Sequence, residues 1–141
     1  MQEIALLGVG TMGAGLAATW LEKGFGVTVW NRTPGRAEAP RGKGARIAAS
    51  PRAAAAGADV IVSMVANDEA AEAVWRGAEG ALDGARPGAI AVEMSTLSPG
   101  FVRALAVAAG ARSLGFLDVP VAGSKAAAAP GQLVLFPGRA A

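Results

Sequence analysis

Short uncharged runs of aliphatic residues alternate along the chain with stretches whose apolar positions recur at helical spacing. The runs predict strands near residues 3–8, 26–31, 59–64, 89–93 and 114–118, with a weaker one near 45–48. The stretches between them predict helices near 11–23, 34–42, 51–56, 67–77 and 98–109. Strict alternation of this kind implies an α/β fold, a doubly wound parallel sheet joined by right-handed crossovers. The run Ala58-Asp59-Val60-Ile61-Val62-Ser63-Met64 is apolar on both faces, as a central strand covered by helices on each side must be. Ser98-Pro99 begins a helix with a good N-cap and a proline at the first helical position.

No residue from Ile4 to Leu21 is charged, a pattern that a hydropathy window flags as a membrane span. Four glycines and two threonines interrupt it, and no basic flank precedes it. It reads better as a buried strand followed by a helix whose small face, Gly13 and Ala17, lies on the sheet.

That strand runs directly into Gly8-Val9-Gly10-Thr11-Met12-Gly13, the Gly-x-Gly-x-x-Gly spacing of a dinucleotide pyrophosphate site. The first glycine permits the tight turn and the second lets phosphates approach the backbone. The third lets the helix pack closely while its N-terminus faces the anion. A helix follows, and then Val27-Thr28-Val29-Trp30 closes a βαβ unit of about thirty residues, the context this mechanism needs.

At 141 residues the chain fits a single domain, spanning 1–141, with 119–141 as its final loop-and-strand segment. Its 52% hydrophobic content is inflated by alanine, so the large apolar side chains are concentrated in the short runs. Net charge is +2 and the arginines are dispersed, so the pI of about 9.7 gives no reason to expect nucleic acid. With no cysteine there are no disulfides or thiolate metal sites, which fits a reducing cytoplasm.

The chain also has no His and no Tyr, which removes His-based acid–base and metal chemistry and Tyr–Lys proton relays. Lysines and carboxylates remain. Of Lys23, Lys43 and Lys125, only Lys125 follows a late strand, where open α/β sheets place substrates. It is either a proton donor or an ordinary loop lysine. Asp59 and Glu93 read as strand-end contacts rather than catalytic groups.

Where folds of this type place a ribose-binding carboxylate, this chain has Asn31-Arg32-Thr33, with Arg36 close behind. Two charge-assisted contacts of roughly 1.5 to 3 kcal/mol each would favour NADP over NAD. Arg41, Lys43 and Arg46 fit equally well on a solvated helix face.

The glycine motif, Val29-Trp30-Asn31-Arg32-Thr33, Glu93-Met94-Ser95-Thr96, and Asp118-Val119-Pro120-Val121-Ala122-Gly123-Ser124-Lys125 with Gly131-Gln132-Leu133 together resemble the β-hydroxyacid dehydrogenase family. That family includes 3-hydroxyisobutyrate dehydrogenases and glyoxylate/succinic semialdehyde reductases, and shares its cofactor domain with 6-phosphogluconate dehydrogenase. The resemblance implies that Gly8, Gly10, Met12 and Gly13 hold the pyrophosphate, with Thr11 in the same turn, and that Asn31, Arg32 and Thr33 hold the 2′-phosphate, to which the nearby charge of Arg36 adds. It implies that Val65 and Ala66 line the cofactor cleft and that Ser95 and Thr96 lie beside the nicotinamide ribose. Ala122, Gly123 and Ser124 would bind a substrate carboxylate, with Ala122 standing where many members have Ser.

The family's catalytic lysine lies on a helix beyond the cofactor domain. The resemblance therefore implies the cofactor half of an NADPH-dependent reductase for a small oxo acid or semialdehyde, catalytically incomplete by itself. Two other functions remain open: a non-catalytic NADP-binding module, and an imine reductase, which shares this domain. The apolar run Gln132-Leu133-Val134-Leu135-Phe136 has no helix after it, so an uncovered face and homo-oligomers are expected.

Overall fold

The computed structural model describes residues 2–122 and the pair 134–135. Six parallel strands form one sheet in the order β3-β2-β1-β4-β5-β6: β1 (Glu3–Leu7), β2 (Gly26–Trp30), β3 (Arg46–Ile47), β4 (Val60–Ser63), β5 (Ile90–Glu93) and β6 (Gly115–Asp118). This is the doubly wound arrangement that the alternating pattern predicts, and it opens a crevice where the order reverses between β1 and β4. β7 (Val121–Ala122) and β8 (Val134–Leu135) pair antiparallel in a separate ribbon. Within the run at 132–136, Val134–Leu135 therefore pairs with β7 rather than with the main sheet, and the rest of the run lies outside the described residues.

β1 shows why this strand is central. Ala5 and Leu7 point into one core with Ile61, Ala91 and Trp75, whereas Ile4 and Leu6 point into the other with Val27, Val29 and Val62. The helices divide accordingly. α1 (Thr11–Glu22) packs on the second core through Leu16 and Ala17. α3 (Pro51–Ala55), α4 (Asp68–Arg76), α5 (Ala81–Gly84) and α6 (Pro99–Ala111) pack on the first. Trp75, fully buried, is the largest side chain at the centre of that layer.

Three of these helices begin with side-chain caps. Ser50 Oγ accepts from Ala53 N (3.0 Å), Asn67 Oδ1 from Ala70 N (2.9 Å) and Ser98 Oγ from Phe101 N (3.3 Å). Pro51 and Pro99 occupy first helical positions.

Two differences from the sequence expectation stand out. The helix expected over 34–42 is a 3₁₀ turn, Pro34–Ala37, followed by the short α2 (Glu38–Gly42). The single turn α5 was not expected at all. Its isolated burial of Ala81 and Leu82 comes from tertiary packing and leaves no helical period in the sequence.

On the α1 side of the sheet, Ile90 of β5 and Leu117 of β6 remain 39% and 37% exposed. At the N-terminal edge, Asp59 Oδ2 accepts from Glu3 N (2.8 Å) and its carboxylate pairs with Arg86. That is a strand-end role, at the opposite edge from the crevice. Among the described residues no helix is long and apolar enough to cross a membrane.

Candidate nucleotide-binding site

The three glycines of the first turn have different steric reasons to be glycine. Gly8 has φ of 104°, and a Cβ there would lie 2.2 Å from the Met64 carbonyl oxygen. A Cβ on Gly13 would lie 2.5 Å from the Gly8 carbonyl oxygen, so the first turn of α1 rests directly on the preceding bend. A Cβ on Gly10 would meet nothing within 4 Å, because this residue faces open cleft.

The N-terminus of α1 is left unsatisfied by the protein. Its N-cap is Gly10, no side chain caps it, and no acidic residue occupies its first turn. The contrast with the capped α3, α4 and α6 is chemical, since free N–H groups and the positive end of the helix dipole face the cleft. The donor set fits a pyrophosphate: backbone amides and open volume at Gly10, with no competing carboxylate.

The cleft holds about 600 Å³. One wall is Gly8, Val9, Gly10, Thr11 and Met12, and the opposite wall is Met64, Val65 and Ala66 from the turn after β4. Asn31, Arg32, Thr33 and Arg36 close the end beyond β2. Among the described residues, none of those lining it is acidic. The structure thus brings together most of the residues singled out in the sequence for cofactor contact. Gly13 is buried behind the turn.

Asn31 is tied into the scaffold. Its Oδ1 accepts from Val9 N (2.7 Å) and its Nδ2 donates to the Thr33 carbonyl (2.9 Å), fixing the end of β2 against the glycine loop. Arg32 and Arg36 are exposed at the cleft mouth. Two other cations of this region turn elsewhere: Arg41 pairs with Glu38, and Arg46 pairs with Glu3 and donates to Thr28 Oγ1 (3.2 Å).

A smaller cavity of about 310 Å³ continues from the cleft past Arg32, Val65 and Ala66. It adds Trp30, Asn67, Glu69, Ala70, Ala73 and Val74, to none of which the sequence assigns a cofactor contact. Their only local signal is that Asn67 follows the β4 turn and caps α4.

Ser95 and Thr96 do not line the cleft. Ser95 is 4% exposed and its Oγ accepts from Val65 N at 2.7 Å, whereas Thr96 is exposed. Beneath them is Glu93, fully buried at the end of β5. Glu93 Oε2 accepts from Trp75 Nε1 (2.8 Å) and Oε1 from Ser95 N (2.9 Å). Burial pushes the Glu93 carboxyl above its ordinary value of 4.5, opposed by the hydroxyl of Ser95, the Trp75 indole, the Ser95 amide and the nearby Ser63 hydroxyl. Ser63 Oγ is itself buried without a hydrogen bond of normal geometry.

A second tie joins the same two turns, with Ser98 N and Oγ donating to Asp68 at 2.9 and 2.5 Å. The Ser98 hydroxyl holds the Asp68 carboxyl below its ordinary value. At the end of β6, partial burial raises the Asp118 carboxyl. The backbone of Ala122 lies in β7. Gly123, Ser124 and Lys125 lie outside the described residues.

The family model of the NAD binding domain of 6-phosphogluconate dehydrogenase matches residues 3–141. An uncharacterized oxidoreductase, YfjR, of Bacillus subtilis is 38% identical over 131 residues, 93% of this chain and 46% of that protein. An NAD-dependent L-serine dehydrogenase of Pseudomonas aeruginosa is 36% identical over 138 residues, 98% of this chain and 46% of that protein. The crystallised 3-hydroxyisobutyrate dehydrogenase of Mycobacterium tuberculosis with L-serine superposes with a TM-score of 0.90 at 31% identity, covering 98% of this chain and 46% of that one. The chain therefore spans about half the length of these relatives. Cleft, strand order and family match together identify the chain as an NAD(P)-binding Rossmann domain of the 6-phosphogluconate dehydrogenase family, akin to those of 3-hydroxyisobutyrate dehydrogenases.

Proposed function

We propose that this domain is the cofactor half of an oxidoreductase that interconverts a small hydroxy acid and its oxo acid or semialdehyde, with NADP favoured over NAD. The observation that carries the reading is the cleft itself. It joins an uncapped helix N-terminus at Gly10 and Thr11 to Arg32 and Arg36, with no carboxylate among its described lining.

A bound nicotinamide cofactor supplies hydride exchange with the substrate carbon. The chain's own residues bind and orient. Amides of the glycine loop and the first turn of α1 receive the pyrophosphate, Arg32 and Arg36 neutralise a 2′-phosphate, and Asn31 holds the loop at the height those contacts need. The substrate carboxylate is assigned to Ala122, Gly123 and Ser124. The proton that accompanies the hydride is assigned to the ammonium of the lysine that the family carries on a helix beyond the cofactor domain, with Lys125 as the alternative within this chain. The named activity of the Pseudomonas relative on L-serine and the L-serine in the mycobacterial structure favour a three-carbon acid with a terminal hydroxyl as the substrate class.

The same Pseudomonas relative is NAD-dependent, so cofactor choice is the discriminating measurement. Calorimetric titration is expected to give NADPH an affinity at least about tenfold above NADH, and Arg32→Ala should remove most of that ratio, about 1.5 to 3 kcal/mol. Equal affinities would overturn the NADP preference. Failure of both nucleotides to bind would overturn the function.

A further inference from the structure

Two walls define the nucleotide cleft, and only one is built from backbone freedom. The glycine wall is fixed by steric contact, with the Met64 carbonyl pressed against the space a Gly8 side chain would need. The facing wall, Met64 to Ala66, is a turn whose Val65 N–H has left the β4 ladder, since the last β1–β4 bond is Met64 N to the Leu7 carbonyl. A turn in that position drifts unless something holds the amide.

What holds it is a side-chain chain of contacts from outside the cleft. Val65 N donates to Ser95 Oγ at 2.7 Å, and Ser95 N donates to Glu93 Oε1 at 2.9 Å. Glu93 is in turn anchored through Oε2 by Trp75 Nε1 at 2.8 Å, from the largest fully buried side chain of α4. Each link is buried or nearly so, and the Glu93 carboxylate satisfies two donors at once. Gln in its place accepts one of these bonds but turns an N–H toward the other donor.

We infer that Glu93 and Ser95 are positioning residues: they form a strap from Trp75 to Val65 that sets the width of the nucleotide cleft without touching the nucleotide. This rests on the nucleotide-binding reading above, and it gives Ser95 a role at the wall in place of a direct cofactor contact. The strap distinguishes its two ends. Removing the Ser95 hydroxyl frees Val65 while the β strands keep their hydrogen bonds. Threonine keeps an oxygen at the same branch point.

The test combines amide hydrogen exchange on the nucleotide-free full chain with NADPH and NADH titrations followed by nicotinamide fluorescence. Ser95→Ala is expected to speed Val65 exchange at least about tenfold while Leu6 and Ile61 stay at wild-type rates, and to weaken the bound nucleotide about five- to tenfold. Ser95→Thr should restore both, and Glu93→Gln should reproduce the affinity loss in part. Unchanged Val65 exchange in Ser95→Ala would overturn the strap while leaving the nucleotide reading intact. Faster exchange with unchanged affinity would overturn its role in the cleft. Wild-type chain that binds neither nucleotide would overturn the nucleotide reading and the cleft role together, even where Val65 exchange responds.

Discussion

The two halves of the sheet reach the same cleft by different means. On the β1–β2 side the wall is made by leaving things out: no Cβ at Gly8, Gly10 or Gly13, and no side-chain cap or first-turn carboxylate on α1. On the β4–β5 side it is made by putting polar groups in, with Glu93, Trp75 and Ser95 bonded in series in the interior and Asp68 tied to Ser98 at the surface. An absence cannot be compensated by a neighbour, whereas a hydrogen-bonded series loses strength link by link. The first wall should therefore fail all at once, and the second by degrees.

The largest effect is expected from Gly8→Ala. A side chain at positive φ and 2.2 Å from a backbone oxygen should destabilise the fold by about 3 to 4 kcal/mol in urea unfolding. A loss under about 1 kcal/mol would mean that the β4 turn yields, and would erase the contrast.

Glu93→Ala should come next, at about 2 to 3 kcal/mol, because it strands the Trp75 indole and the Ser95 amide in the interior. The wild-type carboxyl carries its own pH signature. Its native pKa lies above the ordinary 4.5, so the native state holds the proton more tightly than the unfolded chain. Its contribution to stability is therefore greatest below that value and is lost as pH rises through the native pKa. Glu93→Gln should flatten this part of the stability curve. Asp68, held below its ordinary 3.8, has the opposite sign, stabilising above that value and ceasing to as pH falls.

Asn31→Ala should cost about 1 kcal/mol or slightly more, since one side chain carries both the Val9 and the Thr33 bonds. Arg41→Ala should change unfolding by less than about 0.5 kcal/mol, because both it and Glu38 are solvent-exposed. It is the control for cations outside the cleft.

The difference between the walls also explains what could be read before the structure was known. Glycine spacing, the Asn31-Arg32-Thr33 end of β2 and the alternation of strands are local patterns, and the sheet and the first wall follow from them. Glu93 reads from the sequence as a strand-end contact, and it ends β5. Ser95, however, bonds a residue thirty positions away, a pairing that no local period encodes. The lining contributed by Trp30, Glu69 and Val74 likewise depends on how α4 sits on the sheet. α5 and the 3₁₀ turn at Pro34–Ala37 leave no such pattern for a related reason: each is about one turn long, contains Gly or Pro, and is decided by packing.

The position of β1 has a consequence for how the chain is made. Its neighbours are β2 and β4, so one edge is covered as soon as Trp30 has left the ribosome, while the other stays bare until Ser63 follows. During that interval a nascent chain presents an unpaired edge of nearly pure aliphatic sequence. Fragments ending before β4 should accordingly precipitate or be captured by chaperones, and those extending through β4 should escape that fate first.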